Sequence, residues 1–318
     1  MPIAVDAVRV AVTLGDPRGI GPEVVAEAAE RIRDEHPKIE PILLGSNDDV
    51  ASLAHRFRVE AVGEFSGSLT SAGELSLAAL RRGVEMALAG EVSALVTGPV
   101  HKPALHAAGV QAPGQTELLQ ELTGARTVGM LMAAESTRTG VPLRILLATT
   151  HLPLREVPAA VTDALLDEQT SLLDEQLRLR WGMDRPRIAL CALNPHASDS
   201  GLFGDEEERV FAPAVERMQE RGLDVTGPLP ADTVFLLALE GTVDAVVVPY
   251  HDVGMAVFKT LAFGRGVNVT LGLPFVRTSP DHGTAFDLVG TGRADATSTL
   301  EALRLAGRLC RSRPDPTL

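Results

Sequence analysis

Short β-branched runs alternate with longer helix-like stretches along this sequence, and this alternation limits the possible folds more than any other feature. Six apolar runs each read as a buried strand that ends in a polar loop: VRVAVTL, PILLG, SALVTGPV, LRILLATTH, RIALCALNPH and DAVVVPYHD. Helical patterns lie between them, over residues 22–35, 71–89, 159–180, 206–221 and 232–240. Strand–helix alternation predicts an α/β protein with a mainly parallel sheet.

Length and charge narrow the classes of protein. A chain of 318 residues can bury one large core or two modest ones, and two lobes around a cleft are expected. A net charge of −13 and 3% aromatic residues argue against nucleic-acid binding. The sequence shows neither a signal-peptide pattern nor an apolar stretch of membrane-spanning length. With only Cys191 and Cys310, no disulfide framework is expected, which fits a reducing cytoplasm.

Polar motifs follow the carboxyl ends of the predicted strands. They are GDPRGIGPE, TGPVHK, TTHLPLRE, NPHASDSGLFGDEE and PYHDVG. In open α/β sheets ligands bind at this edge, so the chemistry is expected to gather there. The first motif reads either as an anion-binding turn or as a tight strand-to-helix turn with Pro22 in the first helical turn. Its glycines do not match the GxGxxG dinucleotide spacing.

Three histidines stand directly after apolar runs. His151, His196 and His251 are separated by 45 and 55 residues. Neutral imidazole is a common ligand for divalent transition metals, and three protein ligands leave one position open for substrate. The alternative is that each histidine bonds a neighbouring backbone carbonyl, and the residues alone leave both interpretations open.

A second candidate site lies in KTLAFGRGVNVTLGLPFVRTS. Lys259, Asn268 and Arg277 supply cationic and amide donors suited to a phosphate, and the glycines between them allow backbone N–H groups to approach an anion. The alternative interpretation is a pair of solvated cations that flank a hairpin.

Taken together, the ordered motifs resemble the PdxA family, the 4-hydroxythreonine-4-phosphate dehydrogenases of pyridoxine biosynthesis and their catabolic relatives. The resemblance runs from GDPRGIGPE to DHGTAFDLVGTGRAD, which is nearly the whole chain. It implies an α/β fold like that of isocitrate and isopropylmalate dehydrogenases, with two lobes around a central cleft. We expect the first lobe to contain residues 1–127 and 275–318 and the second to contain residues 128–274. It also implies a homodimer with shared active sites.

The resemblance also assigns ligands and cofactors. It implies one divalent metal (Zn, Mg, Mn or Co), bound by the three histidines with ligands from both subunits. It implies that Lys259, Asn268 and Arg277 hold the substrate phosphate, that position 115 and Thr116 contact substrate, and that NAD or NADP binds without a GxGxxG loop. The expected reaction is oxidation of a small 4-phosphorylated 3-hydroxy acid followed by decarboxylation, with 4-hydroxythreonine 4-phosphate as the expected substrate.

Two residues depart from the family pattern. The family usually reads G-H-T-E where this chain has Gln115, and the YHD motif is usually followed by glutamine where this chain has Val253. An amide donates and accepts hydrogen bonds but cannot carry a proton near pH 7. Both departures bear on substrate identity more than on reaction type.

A base must accept the proton of the substrate hydroxyl, and three residues are candidates. Lys102 serves if burial or neighbouring cations lower its pKa; otherwise it clamps a phosphate or carboxylate. Asp252 either takes the proton or orients a neighbouring histidine. Asp232 is the third candidate.

Other functions remain as alternatives at this stage. One is oxidation of 4-phospho-D-threonate or 4-phospho-D-erythronate in sugar-acid catabolism. A remoter one is a metal-dependent phosphate-ester hydrolase, although two-metal phosphatases generally need several bridging carboxylates, which are few at these strand ends. A phosphometabolite sensor without catalysis is the last.

Overall fold

A computed structural model describes residues 7–311 of the chain. Its strands within that range are β1 Val8–Thr13, β2 Ile39–Gly45, β3 Arg58–Ala61, β4 Ala94–Thr97, β5 Gly129–Ala134, β6 Leu143–Leu147, β7 Arg187–Cys191, β8 Asp224–Leu229, β9 Ala245–Val248, β10 Val267–Leu271 and β11 Val276–Pro280. Its α-helices are α1 Gly21–Glu35, α2 Asn47–Ala51, α3 Leu69–Leu88, α4 Lys102–Ala107, α5 Gln115–Thr123, α6 Val157–Ala160, α7 Asp163–Trp181, α8 Ala212–Glu220, α9 Val234–Leu239, α10 His251–Ala262 and α11 Thr297–Arg311.

The chain divides into two compact units. Residues 7–126 and 267–311 form the first unit, and residues 127–266 form the second. Strands alternate with helices in both units, which confirms the predicted α/β class. In the part of the chain that the structure describes, no helix is long and apolar enough to cross a membrane.

The first unit contains strands in the order β3-β2-β1-β4-β11-β10. All neighbours are parallel except β10 and β11, which pair antiparallel as a hairpin. Helix α11 packs on β11 and on α1, and α3 packs on α4 and β1. Local sequence sets the ends of these helices: Ser68 accepts a hydrogen bond from the backbone N–H of Ser71 at the start of α3, and Pro22 lies in the first turn of α1.

The second unit contains strands in the order β5-β6-β9-β7-β8. Strands β6, β9, β7 and β8 are parallel neighbours, so their carboxyl ends lie at the same edge. The side chains of β6, β9 and β7 are almost all buried, and helices α9 and α10 cover one apolar cluster around Phe258. Continuous burial on both faces explains why these strands read as unbroken apolar runs in the sequence.

Candidate active site

His151 and His251 lie side by side at the carboxyl edge of the second unit. His151 follows β6 and His251 begins α10 directly after β9, and β6 and β9 are neighbouring strands. The two imidazole ring centroids are 5.8 Å apart. They line a depression of about 160 Å³ together with Tyr250 and the loop after His151. The parallel sheet therefore brings together two of the three histidines that the sequence singled out.

Asp252 fixes the orientation of one of these rings. Its Oδ1 lies 2.7 Å from Nδ1 of His251, while 88% of the Asp252 side chain is exposed. A proton on Nδ1 that faces this carboxylate leaves Nε2 with its lone pair free, which is the usual arrangement around a metal-binding histidine. Two such imidazoles fit a divalent transition metal. Among residues 7–311 of one chain, no group of three or more His, Cys, Asp and Glu side chains is placed to hold a metal ion.

His196 lies on a left-handed turn after β7. Residues 196–200 all have positive φ angles, between 46° and 70°, although none of them is glycine. For residues with a Cβ atom this conformation costs roughly 1–2 kcal/mol each, so it persists only where the surroundings impose it. The turn leaves the imidazole of His196 exposed. The ring contacts Phe203 of the same loop, with the ring centroids 6.4 Å apart.

The carboxylate of Glu207 holds this turn. Oε1 accepts the backbone N–H groups of Leu193 and Asn194 at 2.8 and 2.7 Å. Oε2 accepts the side-chain amide of Asn194 at 2.9 Å and the hydroxyl of Ser198. Burial acts to raise the pKa of Glu207, but the hydrogen bonds from Ser198 and Asn194 outweigh it and lower the pKa below its ordinary value.

Arg277 is a buried cation in the first unit. It lies on β11 opposite Thr270 of β10, and only 2% of the residue is exposed. Its guanidinium donates to Thr270 Oγ1 at 2.9 Å, to Thr97 Oγ1 at 2.6 Å and to Gln115 Oε1 at 3.1 Å. Burial lowers the pKa of Arg277 to about 10, and the carboxylate of Glu117 opposes this shift, so the group stays charged at neutral pH.

Three buried atoms at or around this cation lack hydrogen-bond partners among the described residues. They are Nε of Arg277 itself, Oδ1 of Asn268 and Oε2 of Glu117. Asn268 is two residues from Thr270 on β10, so its side chain leaves the hairpin on the same face as Arg277. This segment forms a hairpin that carries Asn268 and Arg277 on one face. The sequence alone leaves open whether the segment is a phosphate site or a hairpin with flanking cations.

The remaining predicted residues occupy defined positions. Gln115 begins α5, half-buried, and its Nε2 donates to the carbonyl of Gly98 at 3.4 Å, while Thr116 is buried. Lys102 is exposed at the start of α4 in the first unit. In the second unit Lys259 lies on α10, where its Nζ is 5.9 Å from the Phe263 ring centroid, and Asp232 is exposed just before α9.

The GDPRGIGPE motif forms a tight turn between β1 and α1. The buried carboxylate of Asp16 accepts from Arg18 Nε at 3.0 Å and Nη2 at 2.7 Å, and from the backbone N–H of Arg18 at 2.9 Å. Nη2 of Arg18 also lies 3.2 Å from Nδ1 of His101. The Asp16 side chain therefore supplies an anion at this turn.

Sequence reasoning missed several residues of the site. Thr97, Thr270 and Glu117 surround Arg277, and Glu207 and Ser198 hold the His196 turn. Thr97, Glu117, Ser198 and Glu207 stand inside motifs that the sequence singled out, so motif membership was the available signal. Thr270 also stands inside the segment KTLAFGRGVNVTLGLPFVRTS, but its contact with Arg277 follows from hairpin register.

Comparison with known proteins gives consistent matches. The family model described as pyridoxal phosphate biosynthetic protein PdxA matches residues 20–306. A 4-hydroxythreonine-4-phosphate dehydrogenase structure from Klebsiella pneumoniae is 37% identical, with a TM-score of 0.83 over 96% of this chain and 100% of that chain. The corresponding structure from Burkholderia phymatum is 36% identical, with a TM-score of 0.79 over 95% and 98%.

A more distant match concerns the fold alone. Isocitrate dehydrogenase from Methylococcus capsulatus is 15% identical, with a TM-score of 0.52 over 93% of this chain and 83% of that chain. This likeness confirms the predicted isocitrate dehydrogenase-like fold.

Proposed function

Because the chain belongs to the PdxA family of dehydrogenases, we propose that it oxidises 4-hydroxythreonine 4-phosphate with NAD or NADP and a divalent metal, and that the oxidised product then loses CO2. The proposal covers the substrate, the cofactors and the residues that serve them. We also propose a location in the cytoplasm, which is consistent with Cys191 and Cys310 not forming a disulfide.

The observation that carries the substrate assignment is the environment of Arg277. Its hydrogen bonds go to three neutral oxygens, and its Nε and the neighbouring Asn268 Oδ1 have no partner among the described residues. A buried cation without a hydrogen-bonded carboxylate is costly, and an anionic ligand removes that cost. We assign Arg277 and Asn268 to the substrate phosphate, with Lys259 as the third member and with Gln115 and Thr116 as further substrate contacts.

The metal is assigned to His151 and His251 of one subunit and to His196 of the partner subunit. The support is the 5.8 Å spacing of the first two rings, the exposure of His196, and the family resemblance, which implies ligands from both subunits. When bound, the cation stabilises negative charge on the substrate hydroxyl oxygen, and the nicotinamide accepts the hydride.

A shared site requires a dimer, and the second unit offers a surface for one. An apolar groove of about 420 Å³ lies between α9 and α10, lined by Phe235, Leu236, Val257 and Leu261. Leu236 is 52% exposed and Phe263, just past α10, is 70% exposed. A contiguous apolar groove with an exposed leucine in its lining is typical of an interface. Since α10 also begins with His251, we assign this surface to a second copy of the chain.

The proton of the substrate hydroxyl needs an acceptor. Lys102, Asp252 and Asp232 remain the three candidates. The contact of Asp252 with His251 Nδ1 favours an orienting role for this carboxylate. Lys102 is exposed at the start of α4, so the clamping of a phosphate or carboxylate stays open as its alternative role.

A substrate panel followed at the nicotinamide absorbance tests the proposal. It contains 4-hydroxythreonine 4-phosphate, 4-phospho-D-threonate and 4-phospho-D-erythronate, each assayed with NAD and NADP, with and without a chelator. We expect metal-dependent reduction with the first substrate and release of CO2. A large preference for either sugar acid would instead favour the catabolic reaction. That reaction is the second candidate because Gln115 departs from the family pattern. Release of inorganic phosphate without reduction of the nicotinamide would contradict a dehydrogenase.

A further inference from the structure

The loop that carries His196 is tied at both ends to one side chain. Glu207 accepts hydrogen bonds from Leu193 and Asn194, which precede the histidine, and from Ser198, which follows it. We propose that Glu207 is a positioning residue for the metal site, because its carboxylate imposes the left-handed turn and so sets the direction in which His196 leaves β7. This inference rests on the proposed role of His196 as a ligand.

Glu207 is suited to this task by burial and charge. Only 4% of the residue is exposed, and both carboxylate oxygens are occupied by donors from the turn. A carboxylate accepts at both oxygens, whereas an amide of the same shape presents donors at one end. Glutamine at position 207 therefore cannot accept from both backbone N–H groups and from the Asn194 amide at once. Glu207 also begins a π-helical turn, Glu207–Phe211, a distortion that is frequent at functional sites.

The turn has no intrinsic reason to be left-handed. Residues 196–200 contain no glycine, and each pays the steric cost of a positive φ angle. The neighbouring Gly204 has a φ of +128°, and a Cβ atom there would lie 2.6 Å from Glu206 Oε2 and 2.7 Å from the Asn194 amide nitrogen, which donates to both Glu206 and Glu207. The loop is thus built closely around the Asn194 amide. Replacing the Glu207 carboxylate removes acceptors for Leu193, Asn194 and Ser198, which frees the turn to relax and moves the imidazole of His196.

Metal affinity measures this role directly. Full-length protein is stripped of metal and titrated with Zn²⁺ against a fluorescent chelator. We expect Glu207→Gln to weaken Zn²⁺ binding by about 10- to 100-fold, the usual effect of losing a residue that orients a ligand. The matched control is Glu208→Gln, which removes the same charge one residue later from an exposed side chain. It should change affinity by less than about twofold.

A double-mutant comparison separates positioning from general damage. In a His196→Ala background Glu207→Gln should have no further effect on the residual Zn²⁺ affinity, because Glu207 acts through that ring. An equal loss in both backgrounds, or unchanged affinity in Glu207→Gln, would overturn the inference and leave the proposed metal site standing. Failure of the unmodified protein to bind Zn²⁺ would overturn both.

A second variant covers the case in which Glu207→Gln does not fold. Ser198→Ala removes one donor to the same carboxylate and leaves Glu207 in place, with Ser198 itself 3% exposed. We expect a smaller loss of Zn²⁺ affinity, roughly threefold to tenfold, together with an altered visible spectrum of the Co²⁺-loaded protein. Affinity and spectrum identical to those of the unmodified protein would contradict a positioning role.

Discussion

At the scale of single residues, Arg277 combines burial, charge and precise geometry. Its three side-chain hydrogen bonds fan out to β4, β10 and the start of α5. A guanidinium can serve three acceptors in one plane, whereas a lysine ammonium is a compact point charge that cannot reach them together. The conservative exchange of arginine for lysine is therefore informative here, because it preserves the charge and removes the geometry.

We expect Arg277→Lys to lower kcat/KM for the phosphorylated substrate by about 100-fold. Each lost hydrogen bond to a charged group costs roughly 1.5–3 kcal/mol, and part of this is recovered by the new ammonium. The KM for the nicotinamide cofactor should stay unchanged in steady-state assays. Arg81→Lys, at an exposed position in the same unit, is the control. A comparable loss of affinity for the cofactor would argue against a phosphate-binding role.

Gln115 determines whether this part of the site can titrate. Its Oε1 accepts from Arg277, and its amide has no ionisation near neutral pH. We expect Gln115→His to add an ionisation to the pH profile of kcat/KM. The transition should lie below the usual histidine value of about 6.5, because the neighbouring guanidinium disfavours the imidazolium. Profiles recorded from pH 5 to 8 for both proteins provide the measurement. Superimposable profiles would place position 115 outside the reacting region.

At the scale of elements, the sequence predicted best where burial is continuous. Strands β6, β7 and β9 are covered on both faces and appear as unbroken apolar runs, so their ends and the histidines after them could be read directly. Strand β8 contains Gly227 and Pro228, and α10 contains Gly254 and several β-branched residues. The local propensities of these residues disfavour a strand at β8 and a helix at α10, so packing within the second unit determines both elements.

The left-handed turn could not have been predicted from the sequence. A positive φ angle is most common at glycine and is enriched at asparagine, aspartate and histidine. His196 and Asp199 therefore give only a weak signal, and the alanine and serines of residues 196–200 give none. The conformation depends on Glu207, which is close in space through the fold of the loop and its π-helical turn. The sequence motif indicates where His196 lies along the chain, whereas tertiary contacts determine the geometry of the turn.

Strands β7 and β9 are joined at their starts by one ion pair. Asp244 accepts from the backbone N–H of Arg187 at 2.8 Å and from its Nη2 at 2.9 Å. Partial burial acts to raise the pKa of Asp244, but these hydrogen bonds and the positive charge lower it overall. A carboxyl group whose pKa is lowered in the folded state adds stability above its unfolded pKa of about 3.9 and loses it as the pH falls through the folded value.

We therefore expect Asp244→Asn to reduce the free energy of unfolding at pH 7 by about 1 kcal/mol, since Arg187 is 46% exposed and solvent weakens the pair. The difference from the unmodified protein should shrink below about pH 4. Denaturant titrations at pH 7 and at pH 3.5 measure both values. Glu175→Gln, an exposed change on α7, serves as the control. A difference that persisted at low pH would contradict the ion-pair explanation.

At the scale of the whole molecule, the protein is acidic, although the proposed phosphate site depends on a few cationic side chains. The chain carries a net charge of −13, yet the phosphate is assigned to Arg277, Asn268 and Lys259 and the metal to three histidines. Composition argues against nucleic acid as a partner, but it could not locate the proposed phosphate site, because net charge says little about a buried guanidinium. The proposed division of metal ligands between two copies is likewise absent from any sequence pattern.

Subunit complementation tests that division. If His151 and His251 act from one subunit and His196 from its partner, a heterodimer of His151→Ala with His196→Ala keeps one intact site of two. Each variant alone should be dimeric and without metal-supported turnover. The heterodimer, co-expressed with two affinity tags and purified through both, should show about half the activity of the unmodified dimer.

The control for this experiment combines His151→Ala with His251→Ala. Both histidines belong to the part of the metal site that one subunit supplies, because their rings are 5.8 Å apart within one chain. Each site of that heterodimer carries one defective ligand, so activity should not return. Recovery in this control would show that His151 and His251 of one chain serve different sites. Failure of the first heterodimer to recover, while it binds the nicotinamide cofactor normally, would show that His196 acts within its own subunit. In that case the turn after β7 would have to move so that His196 approaches His151 and His251 of its own chain.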